Sequence, residues 1–180
     1  MNRAYAKTLL AAPIAAIALL APATAGATSS GGAAYKEPPK KATVVNGKAI
    51  APANAPDKVK KIFAAANKIV EKPYRYGGGH ASFKDSAYDC SGSVSYALHG
   101  AHLVDSPMDS SGFMSWARSG EGKWITVYAN SGHAFMVVAG LRFDTGYRDE
   151  WGAKHGAAPG SGPRWGHPRD TSGFVARHPG

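Results

Sequence analysis

Asp89-Cys90-Ser91-Gly92-Ser93-Val94-Ser95-Tyr96-Ala97-Leu98 carries two signals at once. Asp89 is a good N-cap residue, and Val94, Ala97, Leu98 and Ala101 recur at helical offsets of 3, 4 and 7. The spacing predicts a helix with Cys90 in its first turn. There a thiol faces unpaired backbone N–H groups and the positive end of the helix dipole, both of which favour thiolate over thiol. The same N–H groups can receive a developing oxyanion. Cys90 is the only cysteine of the chain, so no internal disulfide is possible, and the thiol is either a small inert core residue or kept for use.

Upstream of this stretch, Pro73-Tyr74-Arg75-Tyr76-Gly77-Gly78-Gly79-His80 places three glycines where the backbone can pass close to something bulky. It lacks the Lys-Ser or Lys-Thr that would follow in a nucleotide phosphate loop. Before it, Asp57 reads as an N-cap and Val59, Ile62, Phe63, Ala66, Ile69 and Val70 mark one face of a helix ending at Lys72. Lys58, Lys60, Lys61, Asn67 and Lys68 fall on the opposite face. Downstream the period changes. Trp124–Tyr128, Ala134–Val138 and Leu141–Asp144 are rich in β-branched and aromatic residues and are separated by Asn130-Ser131-Gly132 and Ala139-Gly140, which predicts an antiparallel meander. From Gly146 onward, Pro159-Gly160-Ser161-Gly162-Pro163 and Pro168 predict an irregular tail, with Gly173–Ala176 as an edge strand. Helices first and strands after make an α+β domain.

The N-terminus reads as address and tether. Arg3 and Lys7 precede an apolar run from Leu9 to Ala23 that reaches small residues at Ala23-Thr24-Ala25, the layout of a signal peptide over residues 1–27. The run carries Pro13 and Pro22 and is short for a permanent membrane span. Residues 28–56, rich in Gly, Ser, Ala, Pro and Lys, are expected to be a flexible linker, with Ala42–Val45 as an isolated strand candidate, and 57–180 the domain. The net charge is +9; without Arg3 and Lys7, 19 basic residues face 12 acidic ones, a balance of +7. In an exported protein such a charge suits anionic wall polymers or phospholipid surfaces, or simply keeps the chain soluble. No basic run is interleaved with aromatics as in a nucleic-acid groove.

A thiolate needs a base. Of the seven histidines, His133 stands directly after a turn and at the start of an apolar strand, where a sheet can hold its ring against a helix end. His99 and His102 lie about 13 and 18 Å along the helix from Cys90, too far to touch the sulfur. His80 can approach the cleft, and His155, His167 and His178 read as surface residues of the tail. Asp144, eleven residues beyond His133 on the neighbouring strand, either orients the imidazole or is an ordinary strand-end aspartate. Metal binding is disfavoured, because Gly100 is expected to end the helix between His99 and His102.

Tyr74-Arg75-Tyr76-Gly77-Gly78, Asp89-Cys90-Ser91-Gly92 and Gly132-His133 with its apolar strand together resemble the NlpC family of cell-wall cysteine peptidases, over about half the chain. The resemblance implies a papain-like core and hydrolysis of amide bonds in peptidoglycan stem peptides, commonly beside a D-glutamyl residue, with no cofactor. It implies Cys90 as nucleophile, His133 as base, and Tyr74 and Ser91 as groups near the oxyanion or substrate. The family more often has a histidine or an amide where Asp144 falls, and Pro163-Arg164-Trp165 has no counterpart in it. The alternatives are an inactive wall-binding domain of the same fold and a cysteine-dependent acyltransferase. A secreted or wall-associated location follows from the same reading.

Overall fold

In the computed structural model, residues 41–146, 150–156 and 162–180 are described. The expected signal peptide lies outside them. The expected linker does not survive beyond residue 42. Thr43–Val45 (β1) and Lys48–Ile50 (β2) form an antiparallel hairpin closed by Asn46-Gly47, whose φ values of 50° and 73° are those of the tight two-residue turn that Asn-Gly favours. Val44 and Ala49 face each other across it and enter the core. Low hydrophobicity suggested a tether, but two small apolar side chains on one face of a hairpin are enough to dock it.

Asp57–Ala66 (α1) follows, with Pro56 rather than Asp57 at the N-cap. Its stripe of Val59, Ile62, Phe63 and Ala66 is buried, as are Ile69 and Val70, but the helix stops at Ala66 instead of Lys72. Lys68, Ile69 and Lys72 donate to carbonyls three residues back, so the chain tightens into turns. The reason is Asn67. Its side chain accepts from Ala49 N–H (2.9 Å), donates to Ala49 O (2.8 Å) and accepts from the Trp165 indole (2.9 Å), joining hairpin, helix end and C-terminal strand.

Cys90–His99 (α2) is capped by Asp89, whose Oδ1 accepts from Gly92 N–H at 2.7 Å. It is buried on most sides and packs on α1. The helical turn Ser110–Phe113 (α3) is capped in the same way by Asp109. The strands are Arg118–Ser119 (β3), Ile125–Ala129 (β4), Ala134–Val138 (β5) and Leu141–Asp144 (β6). After the helical turn Glu150–Lys154 (α4) come Arg164–Gly166 (β7) and Val175–His178 (β8). They form one antiparallel sheet in the order β3-β8-β4-β5-β6-β7, with α2 packed on β5 and β6.

The α+β class and the meander β4-β5-β6 match expectation; the tail does not. β8 is no edge strand but lies between β3 and β4, and β7 continues the sheet beyond β6. Trp165 is almost fully buried, its ring 4.9 Å from those of both Phe63 and Phe143. Proline and glycine punctuate this segment without preventing short strands between the breaks. Trp165→Ala is expected to destabilise the fold by about 3–5 kcal/mol in denaturant unfolding, through a cavity and a lost hydrogen bond to Asn67. A loss below about 1 kcal/mol would return the segment to the loop reading.

Candidate active site

The mouth of α2 is set by a close approach that only glycine permits. A Cβ on Gly92 would overlap the Gly78 carbonyl, and one on Gly78 would meet Ala87 O at 2.6 Å. Asp89 locks this approach. Its Oδ2 accepts from Gly77 N–H (3.0 Å), its Oδ1 from Gly92 N–H, and His80 Nε2 stands 3.0 Å from Oδ1. A second carboxylate secures the loop from outside, Asp85 binding Gly79 N–H (2.9 Å) and the Arg75 guanidinium (2.7 and 2.8 Å). The glycine run is thus a fitted lid on a helix end, held by charge-assisted hydrogen bonds.

Across from this mouth stands the sheet. The turn between β4 and β5 is tied by Asn130, whose Oδ1 accepts from Gly132 and His133 N–H, and it delivers His133 just ahead of β5. Met136 pairs with Phe143, so continuing the register sets Asp144 opposite Phe135. His133, two residues before Phe135, shares its face of the sheet, which makes His133 and Asp144 diagonal neighbours. His133 Nε2 lies 2.8 Å from Asp144 Oδ1. His133 and the Ala134 N–H both act on the Cys90 sulfur, as donors that favour its charged form. With Nε2 engaged by Asp144, Nδ1 is the nitrogen left for the thiol. Helix, sheet and turn therefore bring Cys90, His133 and Asp144 into one chain of contacts.

The electrostatics follow from these contacts. Burial pushes the Cys90 thiol up, but the hydrogen bonds from His133 and Ala134 and the charge of His133 outweigh it, and the net direction is down. The hydrogen bond to Asp144 first, then that to Cys90, raise His133 to about 9 against the opposing effect of burial. Asp144, 2% exposed, is pushed up by burial and pulled down further by His133, by Gly146 N–H at 2.9 Å and by the Arg142 charge, so it is held as a carboxylate. The directions of the two shifts, down for the thiol and up for the imidazole, favour thiolate and imidazolium in this pair. Phe135 and Phe174, with ring centres 6.2 and 6.3 Å from that of His133, shield it on the sheet side.

Cys90 opens on a cleft of about 440 Å³. One wall is the glycine loop with Tyr74, Tyr76 and His80; the opposite wall is Asp109, Ser110 and Ser111 with Ser131 and Gly132. Tyr74 is partly exposed there. Burial first, then the negative charges of Cys90 and Asp89, raise its phenol, so it remains a neutral donor. Ser91 lines the same cleft, but its side chain is engaged within the clamp. Its hydroxyl is buried 3.2 Å from His80 Nε2 and 3.4 Å from Asp89 Oδ1, committed to the clamp rather than to the cleft. Gly92 and Ser93 N–H are bonded to Asp89, which leaves the amides of Cys90 and Ser91 as first-turn donors.

The other histidines are occupied elsewhere. His99 Nδ1 is 3.0 Å from Val104 O and its ring stacks on Phe83, while His155 binds Trp151 O. Among the described residues no cluster of three His, Cys, Asp or Glu is arranged to hold a metal ion. Sequence reasoning missed the positive surroundings of Asp144: Arg142 and Arg169 each stand 3.7 Å from its Oδ2, and Arg169 lies over the rings of Phe135 and Phe174. It also missed the clamp role of His80, for which the only signal was a histidine closing a glycine run.

No family model matches the sequence, and no curated protein matches it. Among solved structures, the chain is similar to the peptidoglycan hydrolase RipB of Mycobacterium tuberculosis, with a TM-score of 0.50 and 19% identity over 72% of this chain and 68% of that one. A hypothetical invasion protein of the same organism aligns with a TM-score of 0.47 and 16% identity over 77% and 71% of the two chains. The fold is α+β and NlpC-like.

The pKa directions set a pH window. The raised His133 stabilises the fold fully below about pH 6.5, and that contribution is lost as pH rises through about 9. The depressed Cys90 works the other way, its contribution being lost as pH falls through its lowered value. Alkylation of Cys90 by iodoacetamide should therefore set in below the ordinary thiol range near about 8.5, and His133→Ala should move it upward. An onset near 8.5 in the unaltered protein would show that no ion pair forms.

Proposed function

We propose that this chain is an exported cysteine peptidase or amidase that hydrolyses amide bonds in peptidoglycan stem peptides. The observation that carries the reading is His133 hydrogen-bonded on one side to Cys90 and on the other to Asp144, at a helix mouth that opens on a cleft. A buried inert cysteine would have no use for this arrangement. The hydrolase-like fold supports the substrate class, and the signal-peptide layout of residues 1–27 supports export to the wall. The absence of a cofactor from the reaction follows from the same chemistry, since thiolate, imidazole and water suffice.

In this mechanism the Cys90 thiolate attacks the carbonyl carbon of the scissile amide and the π electrons move to oxygen. The amides of Cys90 and Ser91 and the Tyr74 hydroxyl are the donors for that oxyanion. As the carbonyl re-forms, the C–N bond breaks and the His133 imidazolium gives its proton to the leaving nitrogen. Neutral His133 then takes a proton from water, hydroxide adds to the thioester, and the carboxylic product leaves with regeneration of the thiolate and imidazolium. Asp144 stays ionised throughout. It holds the ring in the tautomer and orientation that face the sulfur and stabilises the charged imidazolium.

Cys90→Ala should abolish release of peptide fragments from purified peptidoglycan, followed by mass spectrometry, while the circular dichroism spectrum is unchanged. Fragment release by that variant would remove Cys90 as nucleophile. Asp144→Asn should lower kcat by about 10²-fold or more with little change in KM, because the residue acts on the base and not on the substrate. An unaltered kcat would make Asp144 a structural strand-end residue. Transfer of the acyl group to an amine in place of water, seen in the same mass spectra, would favour the acyltransferase alternative.

A further inference from the structure

Beyond Asp144 lies a second cavity, which the proposed chemistry does not use. It is open to solvent, has a volume of about 510 Å³, and is bounded by Arg142, by Trp151 and Lys154 of α4, and by His167 and Arg169 after β7. Lys154 is exposed, and the Trp151 indole N–H makes no hydrogen bond among the described residues. His167 Nδ1 faces Pro168 O, and the ring lines the cavity. Carboxylates nearby are largely committed: Asp144 to His133 and Gly146, and Asp170 to Ser172. Among the described residues Glu150 is the acidic residue that faces this cavity, and it can balance one cation.

We propose that this cavity is a binding site for phosphodiester anions, the group that anionic wall polymers and phospholipid headgroups share. N–H donors and cations approach from two separate walls, α4 on one side and residues 167–169 on the other. A planar carboxylate is best matched by the fork of a single guanidinium, whereas the two free oxygens of a tetrahedral phosphodiester can accept from both walls at once. The opening to solvent lets a polymer pass through without threading. The net positive charge of the chain draws polyanions toward the surface, but diffuse attraction selects no residue. The site involves neither Cys90 nor His133, but Arg142 and Arg169 also face Asp144, so it is read by binding rather than by turnover.

The test is calorimetric titration of the purified protein with poly(glycerol phosphate), with phosphatidylglycerol vesicles and with polygalacturonate. Phosphodiester probes should bind, more weakly as salt is raised, and polygalacturonate of matched charge on the order of tenfold more weakly. Lys154→Glu and Arg169→Gln should each weaken phosphodiester binding on the order of tenfold, with folding checked by circular dichroism. Lys61→Glu, which reverses an exposed cation of α1, should change it by no more than about twofold. Preference for polymer or for vesicles then assigns the source of the phosphodiester. Equal losses from Lys61→Glu and Lys154→Glu, equal affinity for polygalacturonate, or binding to none of the probes would overturn the proposal.

Discussion

The sulfur of Cys90 and the imidazole of His133 meet where the first turn of α2 abuts the start of β5, and most of the architecture serves to keep that meeting in place. Opposite charges on sulfur and ring are favoured there because each has other partners: the sulfur has the Ala134 amide and the helix end, the ring has Asp144. A partly buried ion pair without such partners would neutralise itself by proton transfer. The helix side is set by backbone contact, since Gly92 against Gly78 brings loop and helix closer than any side chain allows. The sheet side is set by register, since a one-residue slip between β5 and β6 would carry Asp144 to the opposite face from His133.

Asp89 and Asp144 are near-identical in burial and opposite in task. Asp89 is a geometric clamp: two backbone N–H groups and a side-chain imidazole converge on it, and its function is to hold the glycine loop on the helix mouth. Asp144 is an electrostatic anchor, with an imidazolium at 2.8 Å and two guanidinium groups at 3.7 Å. The arginines keep that carboxylate ionised inside the protein, and the aromatic rings of Phe135 and Phe174 exclude water from the His133 side. Screening by solvent is weakest where the proposed proton transfers occur, which is where oriented charges act most strongly.

The C-terminal segment ties these parts together. Trp165 sits between Phe63 of α1 and Phe143 of β6, and its indole meets the same Asn67 oxygen that accepts from Ala49 of the hairpin. Asn67 therefore gathers three distant parts of the chain through one amide. Arg169, four residues after Trp165, then reaches Asp144. Stability and the surroundings of the candidate site are supplied by the same segment, so loss of the tail would affect both.

Local sequence determined a good deal here. The cap at Asp89, the helix it starts, the strands at 134–138 and 141–144 with the turn between them, and the pairing of His133 with Asp144 all follow from residues close enough in the chain for period and turn chemistry to place them. Tertiary structure alone decided the rest. Asn67 reads as a solvent-facing helix residue and becomes a hub, Arg142 and Arg169 carry no local signal yet surround Asp144, and the Ser91 hydroxyl is engaged with His80 and Asp89. The strand candidates at 42–45 and 173–176 gave no hint of their partners, and β2 and β7 are too short to announce themselves by periodicity, because their stability comes from pairing and packing. Local propensity has no access to a partner ninety-eight residues away, as Asn67 is from Trp165, and only the folded chain brings the indole N–H to the amide oxygen.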